Sequence, residues 1–245
     1  MTITTRWPRL STKITSVTAI LEIHELVKRY RAPGGATNVV VDAPSFSLAS
    51  AQQVALRGES GSGKTTFLNL IAGILAPDGG AIRIDDADIT RLGESARDRL
   101  RAKQVGYVFQ TFNLLQGYTA LQNVELAMML GRGVDHAFAR SLLEKVGMSD
   151  RLHYRPSQLS VGQQQRVAVA RALANHPKLV LADEPTGNLD AANARTSLSL
   201  LRELCETNGA ALLLVSHDRH VLEQFDDARD FSEINRAATS TEAAA

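Results

Sequence analysis

GESGSGKTT, residues 58–66, is the stretch on which the reading of this chain turns. Its first eight residues, Gly58 to Thr65, fit the phosphate-binding pattern G-x-x-x-x-G-K-[ST]. Glycines let the backbone curl until successive N–H groups point inward at a phosphate, and a helix start adds a favourable dipole. In that geometry Lys64 neutralises β- and γ-phosphate charge, and the Thr65 hydroxyl is placed to ligate Mg²⁺. The context agrees, because the strand-like QQVALRG (52–58) leads in and the apolar helix GKTTFLNLIAGIL (63–75) leads out.

Working outward, AILEIHELV (19–27) alternates as a strand and APGG (32–35) breaks it. FSLAS (46–50), AIRIDDADI (81–89) and VGYVFQ (105–110) read as further strands. From about Thr111 to Leu173 the pattern turns helical, in TALQNVELAMML, DHAFARSLLEKVG and SVGQQQRVAVARALANH. Strand–helix alternation then resumes with KLVLADEP (178–185), ANARTSLSLLRELCETNG (192–209) and AALLLVSHD (210–218). Near-continuous apolar strands followed by helices predict a parallel sheet covered on both faces. The expected architecture is therefore α/β, with a mixed or parallel sheet core over about 20–110 and 174–235 and an inserted helical subdomain over about 111–173. Residues 1–19 and 236–245 are expected to be unstructured extensions.

KLVLADEP supplies a second half to the phosphate loop. A buried strand ends at Asp183 and Glu184, at the edge where α/β sheets bind ligands. Asp183 is placed to hold Mg²⁺, and Glu184 to orient and deprotonate an attacking water. A third strand ends at His217, whose imidazole is placed to contact a γ-phosphate. The remaining bulk properties are unspecific. A net charge of +1 over 245 residues gives no global pull toward nucleic acid or anionic lipid. The single cysteine, Cys205, rules out an internal disulfide or a cysteine zinc cluster.

Those features define a P-loop NTPase; the helical insertion defines its kind. VGYVFQ ending at Gln110, then LSVGQQQR (159–166), the acidic strand, GNLD (187–190) and SHD (216–218) form an ordered set. The set resembles the nucleotide-binding subunit of ATP-binding cassette (ABC) transporters, from about Leu21 to Asp227. The resemblance implies that Tyr30 stacks on adenine. It makes Gly58, Glu59, Ser60, Gly61, Ser62, Gly63, Lys64, Thr65 and Thr66 the Walker A loop, and Gln110 the Q-loop residue and a metal ligand beside Thr65 and Asp183. Ser160, Gly162 and Gln163 become the signature motif, Asp190 the D-loop aspartate, Asp183 the Walker B acid, Glu184 the catalytic carboxylate and His217 the switch histidine. It also implies ATP and Mg²⁺, a second copy of the chain paired head-to-tail, and a separate integral membrane subunit. The expected location is the cytoplasmic face of the cell membrane, with no nucleic-acid partner.

Within that family, ADEPTGNLD and VGYVFQTFNLLQGYTALQNVELAMML are similar to the lipoprotein-releasing and macrolide-exporting (LolD/MacB-like) branch, which includes a cell-division ATPase. Export or lipoprotein release is one expectation; regulation of a membrane partner without transport is the other. Phe112, Leu114, Leu115 and Tyr118 are the expected docking residues. The chain departs from the family pattern at Val161, where glycine is usual, at Ala51 and Gln52 in place of Gly–Glu, and at Ser216 in place of threonine. DFSEINRAA (230–238) lacks the Asp–Gly turn familiar in the family, which leaves the last strand without its usual sequence signal.

Overall fold

Alternation of apolar and polar residues builds the first layer. In the computed structural model, which describes residues 19–32 and 35–237, β1 (Ala19–Arg31) folds back on β2 (Thr37–Ala49). After β3 (Gln53–Arg57) and α1 (Lys64–Ile71), β4 (Gly79–Ile84) pairs antiparallel with β1, and β5 (Ala87–Asp88) with β4. The result is an antiparallel sheet in the order β2-β1-β4-β5. With a separate parallel sheet, it makes up the mixed core expected from the sequence.

Next come α2 (Glu94–Gln104), β6 (Val105–Val108), α3 (Ala120–Leu130), α4 (His136–Lys145) and α5 (Val161–Ala172). The chain closes with β7 (Leu179–Asp183), α6 (Ala191–Thr207), β8 (Ala211–Ser216), α7 (Arg219–Leu222), β9 (Ala228–Asp230) and α8 (Phe231–Ile234). The parallel sheet has the order β6-β7-β8-β3-β9. Its central strands β7 and β8 are buried on both faces, and alternate residues serve different cores. Val180 and Ala182 of β7, with Leu212 and Leu214 of β8, face the helical subdomain. Leu179, Leu181, Leu213 and Val215 face α1 and the antiparallel sheet. This two-sided burial is what a near-continuous apolar run requires.

The last described strand ends at Asp230, where the segment without the Asp–Gly turn begins. A final strand does form, β9, in parallel register with β3 (Ala55↔Ala228 to Arg57↔Asp230). Among the described residues no hairpin follows it. Asp230 instead accepts the Ser232 N–H at 2.9 Å and caps α8. Of the expected extensions, residues 1–18 and 238–245 lie outside the described residues, while Ala237 is buried.

Candidate functional site

The loop between β3 and α1 is fixed by its last glycine. Gly63 sits at φ 96°, and a Cβ there would lie 2.6 Å from the Val40 carbonyl of β2, so only glycine fits. Lys64 opens α1 and is nearly buried; its Nζ donates to the Gly58 and Glu59 carbonyls, at 2.6 Å each. It also stands 4.0 Å from Glu184 Oε1. Burial pulls the Lys64 pKa below the usual lysine range, against the raising influence of Glu184, Asp183 and Glu59. The Ser62 hydroxyl is buried in the same loop without a hydrogen-bond partner, a donor left for a ligand.

The ends of β7 and β8 deliver the acids. Thr65 Oγ1 donates to Asp183 Oδ1 at 3.1 Å, which joins the loop to the sheet. Burial raises the Asp183 pKa and Glu184 adds to the rise, while the Thr65 bond and Lys64 oppose it. Glu184 adopts φ 44°, a left-handed conformation that costs a non-glycine residue about 1–3 kcal/mol and is stored at functional sites. Its carboxylate is held by donors from β8 and the turn after it. Ser216 Oγ donates to Oε2 at 2.9 Å, and the His217 N–H to Oε1 at 3.1 Å. His217 Nδ1 lies 2.8 Å from Oε1. A carboxylate only accepts, so Nδ1 carries the proton and Nε2 is left for another partner on a side chain that is 65% exposed.

Other expected residues lie around this cluster. Tyr30 is 43% exposed at the end of β1, opposite Asn38, with the Lys28 ammonium 5.7 Å from its ring centre. Gln110 follows β6; its carbonyl accepts from Asn188 Nδ2 at 2.7 Å, beside the 187–190 turn. The structure joins Thr65 to Asp183, and the Gln110 side-chain Nε2 lies 3.6 Å from where a Gly187 Cβ would stand. Asp190 caps α6 through the Ala192 and Asn193 N–H groups, bonds that lower its pKa. Ser160 and Gln163 form a reciprocal capping box at the start of α5. Ser160 Oγ accepts there, so its own proton stays available to an anion. A Cβ at Gly162 would meet Asn193 Oδ1 at 3.0 Å, so this glycine lets α5 approach α6. Val161 is 46% exposed and stands outside the subdomain core.

Two of the expected docking residues are corrected. Phe112 and Leu114 are buried in the helical-subdomain core, because the chain turns inward there; Leu115 and Tyr118 remain exposed. The inward turn uses left-handed backbone at Phe112 (φ 58°) and Asn113 (φ 49°). Arg171 of α5 holds both carbonyls, at 2.6 and 2.5 Å. Burial lowers the Arg171 pKa to about 10. Ser216, Arg171 and Asn193 were not singled out from the sequence as functional. Their roles depend on partners 32, 58 and 3 residues away, and only the last distance is short enough to be read as a cap.

A cradle of N–H donors with a lysine, a hydroxyl–carboxylate pair and an anchored glutamate can bind a polyphosphate, hold a hard cation and activate water. Comparison with known proteins agrees. The family model described as ABC transporter matches residues 41–187, well over half of the chain. The chain belongs to the ABC transporter family. It is similar to the dimeric ATP-binding cassette MJ0796 in a post-hydrolysis state bound to ADP and Pi, with 35% identity and a TM-score of 0.75, over 82% of this chain and 89% of that one. It is likewise similar to the dimeric structure of MJ0796, a bacterial ABC transporter cassette, with 34% identity and a TM-score of 0.78 over 86% and 93% of the two chains. The chain is thus an ATP-binding, ATP-hydrolysing cassette with the ABC ATPase fold. Among the described residues, no helix of this family member is long and apolar enough to cross a membrane.

Proposed function

We propose that this cassette pairs with a second copy around two ATP molecules and drives a separate integral membrane subunit in export or lipoprotein release. The observation that carries the reading is the join of loop to sheet: Lys64, Thr65, Asp183, Glu184 and His217 converge within hydrogen-bond or ion-pair reach. In this reading Lys64 leaves the Gly58 and Glu59 carbonyls for the β- and γ-phosphates. Thr65 and Asp183 fit Mg²⁺, which takes hard oxygen ligands and completes its shell with water and phosphate. When bound, that ion neutralises charge that builds on the phosphate oxygens. Glu184, fixed by Ser216 and His217, takes the proton of the attacking water. His217 offers Nε2 to the γ-phosphate, and Tyr30 lends an exposed ring to the adenine.

The partner copy would be met by the start of α5. Ser160 with its free hydroxyl proton, Gly162 and Gln163 present a helix N-terminus without a lysine, suited to a phosphate that already has one. Asp190 lies beside that surface, through Asn193. The membrane subunit would dock at Leu115 and Tyr118. Buried Asn123 stiffens this loop: its Oδ1 accepts from the Leu115 N–H at 2.8 Å, and its Nδ2 donates to the Leu115, Tyr118 and Thr119 carbonyls. Similarity to the lipoprotein-releasing and exporting branch supports the cargo class and a position on the cytoplasmic face of the membrane.

Affinity capture of an integral membrane partner from detergent-solubilised membranes, followed by reconstitution in vesicles, tests the reading. Leu115→Glu should lose capture while keeping isolated ATPase activity. Gln110→Ala should reduce partner-stimulated hydrolysis more than basal hydrolysis. ATP-dependent movement of a lipid-modified or amphipathic substrate is the expected result. Partner-stimulated ATPase with no movement of any substrate would instead establish the regulatory role.

A further inference from the structure

The C-terminal turn of the chain touches the phosphate loop at both ends. We infer that Asn235 is a positioning residue for ATP: its side-chain amide sets the orientation of the Ser62–Gly63 peptide in the phosphate cradle. The inference rests on residues 58–66 being that cradle.

Asn235 is fully buried, and all four of its side-chain hydrogen-bond positions are filled. Nδ2 donates to the Val40 carbonyl at 3.0 Å and to the Ser62 carbonyl at 3.1 Å. Oδ1 accepts from the Asp42 N–H at 2.8 Å and from the Ala237 N–H at 3.3 Å. Two carbonyls on one side and two N–H groups on the other admit a single orientation of the amide. One side chain therefore ties the phosphate loop to β2, at the point where β2 already presses on Gly63.

Peptide planarity turns that tie into a statement about the ligand. In a trans peptide the C=O of Ser62 and the N–H of Gly63 point in opposite directions. Holding the carbonyl toward Asn235 aims the Gly63 N–H away from it, into the loop, where a phosphate oxygen accepts it. Without the tie, this peptide must be oriented by the ligand, at a cost in affinity.

Phe231 supplies the other end of the contact. It is fully buried, its ring centre is 5.3 Å from that of Phe67 in α1, and its Cβ lies 3.3 Å from where a Gly58 Cβ would stand. Phe231 and Asn235 are four residues apart on one helical face, joined by the Asn235 N–H to Phe231 carbonyl bond of 2.7 Å. The turn α8 thus braces the loop at its entry and its exit. This is the segment that departs from the family pattern by lacking the Asp–Gly turn.

The test uses the full chain and titrates ATP against Asn235→Ala, Asn235→Ser and Asn235→Asp, with KM, kcat and melting temperature measured on each. Leu142→Ala, a fully buried change in the helical subdomain, is the control for lost stability. Asn235→Ala should raise the Kd and KM for ATP about tenfold, with a smaller effect on kcat. Asn235→Ser keeps one donor and one acceptor; it should fold even where alanine does not, with an intermediate Kd. Asn235→Asp keeps the acceptor but loses both donated bonds, and should bind ATP more weakly than Asn235→Ala. Leu142→Ala should melt lower with ATP affinity unchanged. The inference is overturned if Asn235→Ser and Asn235→Ala bind ATP within twofold of wild type, or if Leu142→Ala weakens ATP as much as they do. Lys64→Ala separates the two readings, since its loss of ATP binding tests the cradle itself.

Discussion

Removing the Ser216 hydroxyl should disable the site without touching the nucleotide. Ser216 is fully buried; its Oγ donates to Glu184 Oε2 at 2.9 Å and accepts the Asp218 N–H at 3.1 Å. In Ser216→Ala the carboxylate loses one of the donors that fix it, a hydrogen bond to a charged group worth about 1.5–3 kcal/mol. The Asp218 N–H loses its acceptor as well. That residue is exposed, so water recovers part of the bond, and about 3 kcal/mol in all is the expected loss. For a chain of this size the melting temperature should fall by about 6–12 °C. Turnover should fall about tenfold, equivalent to about 1.4 kcal/mol, as Glu184 pivots on its remaining His217 contacts. KM for ATP should change little, because the Ser216 hydroxyl bonds Glu184 and Asp218 rather than the phosphate loop. Ser216→Thr keeps the hydroxyl and should keep most of the turnover. A Ser216→Ala protein that melts within about 2 °C of wild type and turns over normally would refute the assignment.

Glu184→Gln should fit the same contacts, since Ser216 Oγ can accept from the new amide and His217 still finds an oxygen. Turnover should nevertheless drop by ~10²–10⁴-fold, with the ATP-bound dimer trapped on size exclusion. Asp183→Asn removes a carboxylate whose pKa burial has raised, so the folded wild type carries a penalty above that pKa and none below 3.8. In metal-free buffer the variant should melt above wild type at pH 8, and the gap should close as pH falls through the carboxylate range; a lower melting point at pH 8 would contradict this. Tyr30→Ala should weaken ATP binding by about 1–3 kcal/mol and Tyr30→Trp hardly at all, by titration. Val161→Gly should raise ATPase activity or tighten the ATP-bound dimer, at no more than about 1 kcal/mol of stability, because the side chain is exposed on the first turn of α5.

The site was legible where its chemistry is local in sequence. Residues 58–66 carry loop, cap and helix start together, and Asp183 and Glu184 close an unbroken apolar strand. The family's ordered motifs placed the rest. What escaped was polar or distant. The helix α2 has no buried residue, so an apolar period had nothing to mark. Its own signal was charge: Glu94 in the first turn, Arg101 and Lys103 in the last, matching the helix dipole. Phe112 and Leu114 looked like a docking surface because left-handed backbone at two non-glycine residues cannot be read from composition. Asn235 carries no pattern at all; its side-chain partners are 173 to 195 residues away, apart from Ala237.

The Arg171 contact makes α5 a yardstick between two surfaces. The helix has 12 residues, about 18 Å at 1.5 Å each, with Ser160 at one end and Arg171 at the other. A rod of that kind has no slack. The carbonyls of Phe112 and Asn113 are pinned to its far end, three residues before the exposed Tyr118 loop begins at Leu115 in the case of Phe112. If a membrane partner docks on that loop as proposed, a pull there would be carried along α5 to Ser160, the end proposed to meet a second copy's phosphate. Linkage makes the traffic symmetrical: whatever the partner adds to ATP affinity through this rod, ATP returns to the partner in equal measure. Cutting the rod at Arg171 should leave both surfaces intact and each deaf to the other.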